Sequence, residues 1–426
     1  MSEHNIQSIR GMRDILPPES DLREQLMDKI HHKLHQFGYL PADLPLLEKT
    51  ALFQRTIGSE TDVVTKEMYT FLDRSEESVT LRPEATAGAV RAIIEQGRAQ
   101  QVQRLYVEGA MFRYERPQKG RYRQFSQVSV ESFGVKSAAQ DVELIQLAYE
   151  LFQELGLISL VRLELNTIGL PEERQLFQKD LVAYLQNHRQ ELDEDSQRRL
   201  ETNPLRILDS KDPQVQACLD AAPALLDYLG SESQQHFEQV TTLLNALDIP
   251  WRLNPRLVRG LDYYCHTVFE WTTDALGAQS AVCAGGRYDG LVEQLGGAAT
   301  PAAGFAFGVD RILLLLEQNA IWQARRPLIY MVIASFAEQA MAMQWAAKLR
   351  QQFPDDAIVL HNDYQSLKNQ FKKADKSGAD FVLVFGEQER ENQQVNCKDL
   401  QSGAQHCFGF DELVAYLTAQ KDKKCQ

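Results

Sequence analysis

Stretches whose apolar residues recur every three to four positions alternate along this chain with stretches where they recur every two, and the order of the two kinds predicts an architecture. Leu22, Leu26, Ile30, Leu34 and Phe37 share one helical face, with Ser20 as the expected N-cap and Gly38 as the stop. An extended segment follows, punctuated by Pro41 and Pro45. Residues 102–111 and 124–133 have strand character on either side of a short charged stretch, which predicts an antiparallel pair, and 160–166 alternates as a half-buried strand should. From 171 to 248 the texture changes to Gln, Glu, Leu and Ala at helical period, interrupted at Pro204, Pro213 and Pro223, which predicts a helical insertion. Strand character returns at 268–271 and 279–283, then comes a glycine-rich passage and a helix at 309–318. Beyond the expected linker Arg325-Arg326-Pro327, apolar strand runs at 328–334, 357–361 and 381–385 alternate with helical stretches at 338–352 and 366–376. That is the pattern of a small α/β domain.

A length of 426 residues accommodates two or three such domains. No apolar run reaches the roughly 18 to 20 residues that cross a bilayer, and residues 1–10 lack the apolar centre of a signal peptide, so a cytoplasmic protein without membrane contact is expected. The six cysteines are scattered without a CxxC pair and read as free thiols. His31 and His35 lie one helical turn apart, but no carboxylate or thiol is near them in sequence to complete a ligand set, so no protein-held metal is expected.

Charge changes the picture. The formal net charge is −14, yet Arg113, Arg116, Lys119, Arg121 and Arg123 fall inside the stretch 111–125, MFRYERPQKGRYRQF, at the tip of the expected strand pair. A cationic island in an acidic chain calls for an anionic partner. Two further segments place an arginine beside glycines: 257–264, LVRGLDYY, and 304–311, GFAFGVDR. Singly, each has a plain reading as a solvated turn or a salt-bridged arginine. Jointly, they offer planar, non-titrating forks where negative charge develops in phosphoryl or nucleotidyl transfer. Neither GxxxxGK[ST] nor GxGxxG occurs, which argues against a P-loop or a Rossmann site.

These residues resemble a known family. FRYE with its RPQKGRYRQF loop resembles motif 2 of class II aminoacyl-tRNA synthetases, GFAFGVDR resembles their motif 3, and the helix ending near Gly38 with the extended stretch to Pro45 resembles motif 1, which builds the dimer interface in that class. RGLDYY and the segment 284–290, AGGRYDG, resemble the two signature motifs of histidyl-tRNA synthetases. The resemblance implies an α+β fold: a discontinuous class II catalytic domain over 1–169 and 249–324, with an antiparallel sheet flanked by helices. It further implies a helical insertion over 170–248 and a C-terminal α/β anticodon-binding domain over 327–426. The implied substrates are ATP with Mg2+ on its outer phosphates, L-histidine and tRNA(His), and the implied assembly is a homodimer.

Carried over by position, the resemblance assigns Arg113 to the α-phosphate, Arg121 to the outer phosphates, Phe125 to adenine and Arg311 to the γ-phosphate. Arg259 would touch both the α-phosphate and the histidine carboxylate. Glu84, Thr86 and Gln127 would take the α-ammonium. Glu131 and Tyr264 would grip the imidazole nitrogens, with Tyr263 and Tyr288 lining the pocket, a carboxylate facing phenols being a fitting complement to a ring with donors and acceptors on opposite edges. Arg116 and Gln118 at the loop tip would meet the acceptor stem. The chain departs from the family at Ala85 and Ser129, where glycine is usual, and at Ser126, where histidine is common. A competing reading is the synthetase-like regulatory subunit of histidine biosynthesis. Such paralogues lack the C-terminal domain and have eroded arginines, whereas Arg113, Arg259 and Arg311 are all present here. Lys368, Lys372, Lys373 and Lys376 fit RNA contact by the last domain, although a solvated helix face would look the same.

Overall fold

The computed structural model describes residues 6–58, 61–277, 281–363 and 365–424. Positions 279 and 280 of the expected strand 279–283, and Cys425, lie outside them. The chain divides into two compact units, one running to Gln323 and the other beginning at Ala324, and the helical insertion packs within the first.

Strands of the first unit are β1 (Leu40–Pro41), β2 (Leu47–Lys49), β3 (Tyr69–Leu72), β4 (Ser78–Leu81), β5 (Gln103–Phe112), β6 (Gln124–Phe133), β7 (Arg162–Thr167), β8 (Trp251–Leu253), β9 (Cys265–Thr272), β10 (Ala281–Arg287) and β11 (Ala302–Gly308). Eight form one sheet in the order β1-β5-β6-β11-β10-β9-β7-β8. Its centre is antiparallel, and only the edge pairs β1·β5 and β7·β8 are parallel. Strands β2, β4 and β3 form a small second sheet.

The alternation of β6 sorts its side chains between two environments. Val128 and Val130 enter a core built with the helices Glu19–Gln36, Ala138–Glu154, Ser231–Ala246 and Val309–Gln318. Gln127, Ser129 and Glu131 therefore face the opposite side. On β11 the same rule sends Ala303, Phe305 and Phe307 into the core, while Gly304, Ala306 and Gly308 stand beside Glu131, Ser129 and Gln127 in register.

One local expectation is corrected. The first helix begins at Glu19, so Ser20 lies inside it rather than capping it; Glu19 and Asp21 occupy the first turn and Lys33 and His35 the last, matching the helix dipole. Within the glycine-rich passage residues 284–287 belong to β10, and at Gly285 and Gly286 the neighbouring strands β11 and β9 leave no room for a β-carbon. His31 is paired with Glu108 at 2.8 Å.

In the second unit, the strands Ile358–Leu360, Ile329–Ile333 and Phe381–Phe385 run parallel, followed by antiparallel Val395–Asp399 and Gln405–Phe408. Helix Leu367–Ser377 buries Gln370, whose side chain bonds both the N–H and the carbonyl of Ile333. Its four lysines are left exposed.

Candidate active site

A cleft of about 240 Å³ opens on the β6–β11 face. Arg113, Arg121, Phe125, Gln127, Glu84, Thr86, Arg259, Tyr263, Tyr264, Tyr288 and Arg311 all line it, although they come from segments spread over more than two hundred positions. The β5–β6 hairpin brings Arg113 and Arg121, the loop before β9 brings Arg259, Tyr263 and Tyr264, the end of β10 brings Tyr288, and the start of helix Val309–Gln318 brings Arg311.

At one end the cleft is cationic. Arg113 donates from Nε to the Pro83 carbonyl at 3.0 Å and lies 5.4 Å from the centre of the Phe125 ring. Arg311 donates from Nε to the Gly120 carbonyl at 3.1 Å, which ties it to the loop tip. Burial, then the neighbouring charges of Arg121 and Arg113, push Arg311 down to about 10, against the opposing pull of Glu270 and Asp310. Arg121 pairs with Glu115, and Arg259 pairs with Glu270 while its buried Nε has no partner among the described residues.

The other end is a nest of hydroxyls and carboxylates. Both Glu84 oxygens accept backbone N–H groups at the start of helix Thr86–Glu95, from Thr86 at 2.7 Å and Ala87 at 2.9 Å, yet burial still raises its pKa. Glu131 is 1% exposed and does not itself line the cleft, but it is bonded to two residues that do, accepting from Thr86 Oγ1 at 2.7 Å and from the Tyr288 hydroxyl. Burial pushes its pKa to about 8 in spite of these bonds. Tyr263 and Tyr264 pack at 4.6 Å between ring centres, with Tyr288 edge-on to both. Gln127 Oε1 is a buried acceptor without a partner among the described residues, so a donor on a bound ligand would satisfy it. Gly304 is required here: a β-carbon would overlap Glu131 Oε2 and come within 2.8 Å of the Tyr288 hydroxyl. Gly304→Ala should raise the amino acid KM at least tenfold with little change in the ATP KM, as measured by substrate titration; equal effects on both would contradict this placement.

Arg116 and Gln118 do not line the cleft; both are exposed at the loop tip, where Gln118 and Arg121 exchange backbone hydrogen bonds. Arg123 has a structural task, with Nε on the Glu115 carbonyl at 3.1 Å and the guanidinium 3.7 Å from the Tyr114 ring centre. The three departures are readily housed. Ala85 has an ordinary φ of −102° and its methyl is fully buried beside Val107 and Met111. Ser129 faces the cleft next to Glu131, and Ser126 donates its N–H to Asp310 at 2.7 Å.

Sequence reasoning missed Glu270 and Asp310. Glu270 is the one acid in the run 268–271, a signal that could have flagged it. Asp310 holds both Ser126 N–H and, at 3.1 Å, Arg13. Arg287 of the AGGRYDG segment turns away from the cleft into a buried ion pair with Asp141, which also accepts from Thr267 and meets His236 of the insertion at 2.8 Å. That network anchors the strand end carrying Tyr288.

The sequence and the fold have known relatives. The histidyl-tRNA synthetase family model matches residues 11–312, and the anticodon binding domain model matches 330–420. A histidine–tRNA ligase from Marinomonas sp. (strain MWYL1) is 50% identical over 419 residues, covering 97% of this chain and 99% of that protein. The crystal structure of apo S. aureus histidyl-tRNA synthetase is 34% identical with a TM-score of 0.76, covering 97% of this chain and 99% of the other. A protein from Bacillus halodurans C described as an ATP phosphoribosyltransferase regulatory subunit/histidyl-tRNA synthetase shares the fold at 20% identity and a TM-score of 0.61, over 90% of this chain and 98% of its own. On the family match and the 50% identity together, the chain belongs to the histidyl-tRNA synthetase family.

Proposed function

We propose that this protein activates L-histidine with ATP and transfers it to tRNA(His). The observation that carries the reading is one cleft with arginines 113, 121, 259 and 311 at one end and Tyr264 and Tyr288 at the other, with Tyr288 bonded to the buried Glu131 behind it. In the first step a histidine carboxylate oxygen attacks the α-phosphorus, the new P–O bond forms, and the bond to the β-phosphate breaks with loss of pyrophosphate. Arg113 and Arg259 neutralise charge at the α-phosphate, Arg121 and Arg311 hold the outer phosphates, and Phe125 stacks on adenine. Magnesium arrives with ATP as part of the substrate; Glu115 and Glu270, paired with Arg121 and Arg259, are hard oxygen donors of the kind it takes. The α-ammonium meets Glu84, Thr86 and the unpartnered Gln127 oxygen, and Glu131 and Tyr264 hold the imidazole. In the second step the terminal adenosine hydroxyl attacks the histidyl carbonyl and AMP leaves.

Arg116 and Gln118, exposed beyond the phosphate arginines, are placed to meet the acceptor stem. The chain works in the cytoplasm as a homodimer, a reading supported by exposed Leu40, Leu46, Leu47, Phe71 and Leu72, apolar surface that a second copy would cover. Among the described residues, no helix is long and apolar enough to cross a membrane. The competing regulatory reading is disfavoured by the intact arginines and by the anticodon binding domain match.

Histidine alone among the twenty amino acids should support ATP–pyrophosphate exchange. Exchange with another amino acid, or with none, sinks the proposal. Deleting residues 327–426 should lower tRNA charging at least a hundredfold more than pyrophosphate exchange; equal losses would count against an RNA-binding role for that unit.

A further inference from the structure

The insertion carries Arg198, Arg199 and Arg206, which have no part in the chemistry above. They open onto a cavity of about 540 Å³ that shares Arg113, Arg121 and Arg259 with the active-site cleft, so the two spaces meet at the phosphate end. Its volume lies in the range of roughly 300–1,000 Å³ usual for ligand sites. Seven Lys and Arg line it against three carboxylates, an excess of four positive charges in a chain of formal net charge −14.

Other cations of this cavity have protein partners. Lys66 and Arg199 each lie 3.2 Å from Asp62, and Arg198 pairs with Asp195. Arg206 is different: among the described residues its guanidinium makes no ion pair and no hydrogen bond. It rests against Gly260, where an added β-carbon would lie 2.9 Å from Nη1, one residue from Arg259. The segment beneath it is fixed, since Asn203 donates to Asp262 at 3.2 Å and Arg199 to the Arg206 carbonyl at 3.4 Å. Asp62 and Asp262 are near enough to feel its charge but neither bonds it, and a held guanidinium whose donors face a cationic cavity is arranged for a bidentate oxyanion.

We propose that this cavity is a second phosphate-binding chamber, continuous with the active site, in which Arg206 grips the phosphate. The inference rests on the activity proposed above, whose reaction brings two phosphate groups here besides bound ATP: the phosphodiester next to the terminal adenosine of the RNA, and the departing pyrophosphate. Both present non-bridging phosphate oxygens to the same fork.

The test uses full-length Arg206→Gln and Arg206→Lys; the position is half-exposed, so both should melt like the wild type. If the RNA is the source, the Gln variant raises the tRNA KM about tenfold and lowers the salt dependence of charging by about one phosphate contact, while pyrophosphate exchange is unchanged and Lys restores part of the loss. If pyrophosphate is the source, the Gln variant raises its KM in exchange about tenfold and leaves the tRNA KM alone. Unchanged constants in both assays overturn the chamber. So does a fall in both turnover numbers with KM values and salt slope unmoved, which would mean that Arg206 only props the Gly260 backbone. A wild-type protein without histidine-dependent exchange sinks the proposed function instead. In that event, direct titration with inorganic pyrophosphate and with tRNA decides the chamber, and equal binding by wild type and the Gln variant overturns it.

Discussion

Arg259→Ala should lower histidine-dependent pyrophosphate exchange by about 10²–10³-fold, the usual loss when one fixed donor to developing charge is removed. The fold should survive, because the loop is held without this side chain. Asn166 Nδ2 donates to the Leu257 carbonyl at 3.0 Å, Leu257 N–H to Asn254 at 3.0 Å, and Asp262 N–H to Ile57 at 3.3 Å. Lysine should recover only a small part, since it supplies charge without the fork that can reach phosphate and carboxylate together. Loss of the guanidinium also strips Glu270 of its partner, and its pKa, already raised by burial, should climb further. Exchange within about threefold of wild type by a properly folded Ala variant would refute the role.

Glu131→Gln should raise the histidine KM about a hundredfold, or about 3 kcal/mol, the scale of a buried polar group of the ligand left without its partner. The same variant has a stability signature of its own. In the folded protein Glu131 titrates near 8, against an ordinary value of 4.5. Between those values the unfolded chain ionises this carboxyl while the folded chain keeps its proton, so wild-type stability falls as pH rises through that window, by at most about 1.4 kcal/mol per pH unit from this group. Glutamine removes the slope. The melting temperature of the variant relative to wild type should therefore grow more favourable from pH 5 to pH 8 and level off above; a difference flat across that range would contradict the placement of this carboxyl. Substrate recognition at this position is thus set against stability.

The pieces of this fold that sequence made visible are those whose pattern is local. β6 runs over 124–133 as the aromatic and β-branched residues Phe125, Val128, Val130 and Phe133 suggest, and helix Val309–Gln318 follows directly from its apolar face. The arginine and tyrosine positions could be read because each motif carries glycines or aromatics in a fixed local order, and these are what the cleft gathers. What remained hidden depends on pairing across long separations. Asp141 meets Arg287 146 positions away and His236 95 away, and no local pattern marks an acid that will be buried in a helix of otherwise ordinary character. Glu270 was hidden because only the folded loop brings Arg259 to it. The task of Arg206 was likewise invisible, since in sequence it is one more arginine in a polar helical insertion.

The bond from Arg311 Nε–H to the Gly120 carbonyl ties the start of helix Val309–Gln318 to the hairpin tip. Under the proposed function the same guanidinium meets the γ-phosphate, so nucleotide binding and the position of the tip that carries Arg116 and Gln118 are linked through one side chain.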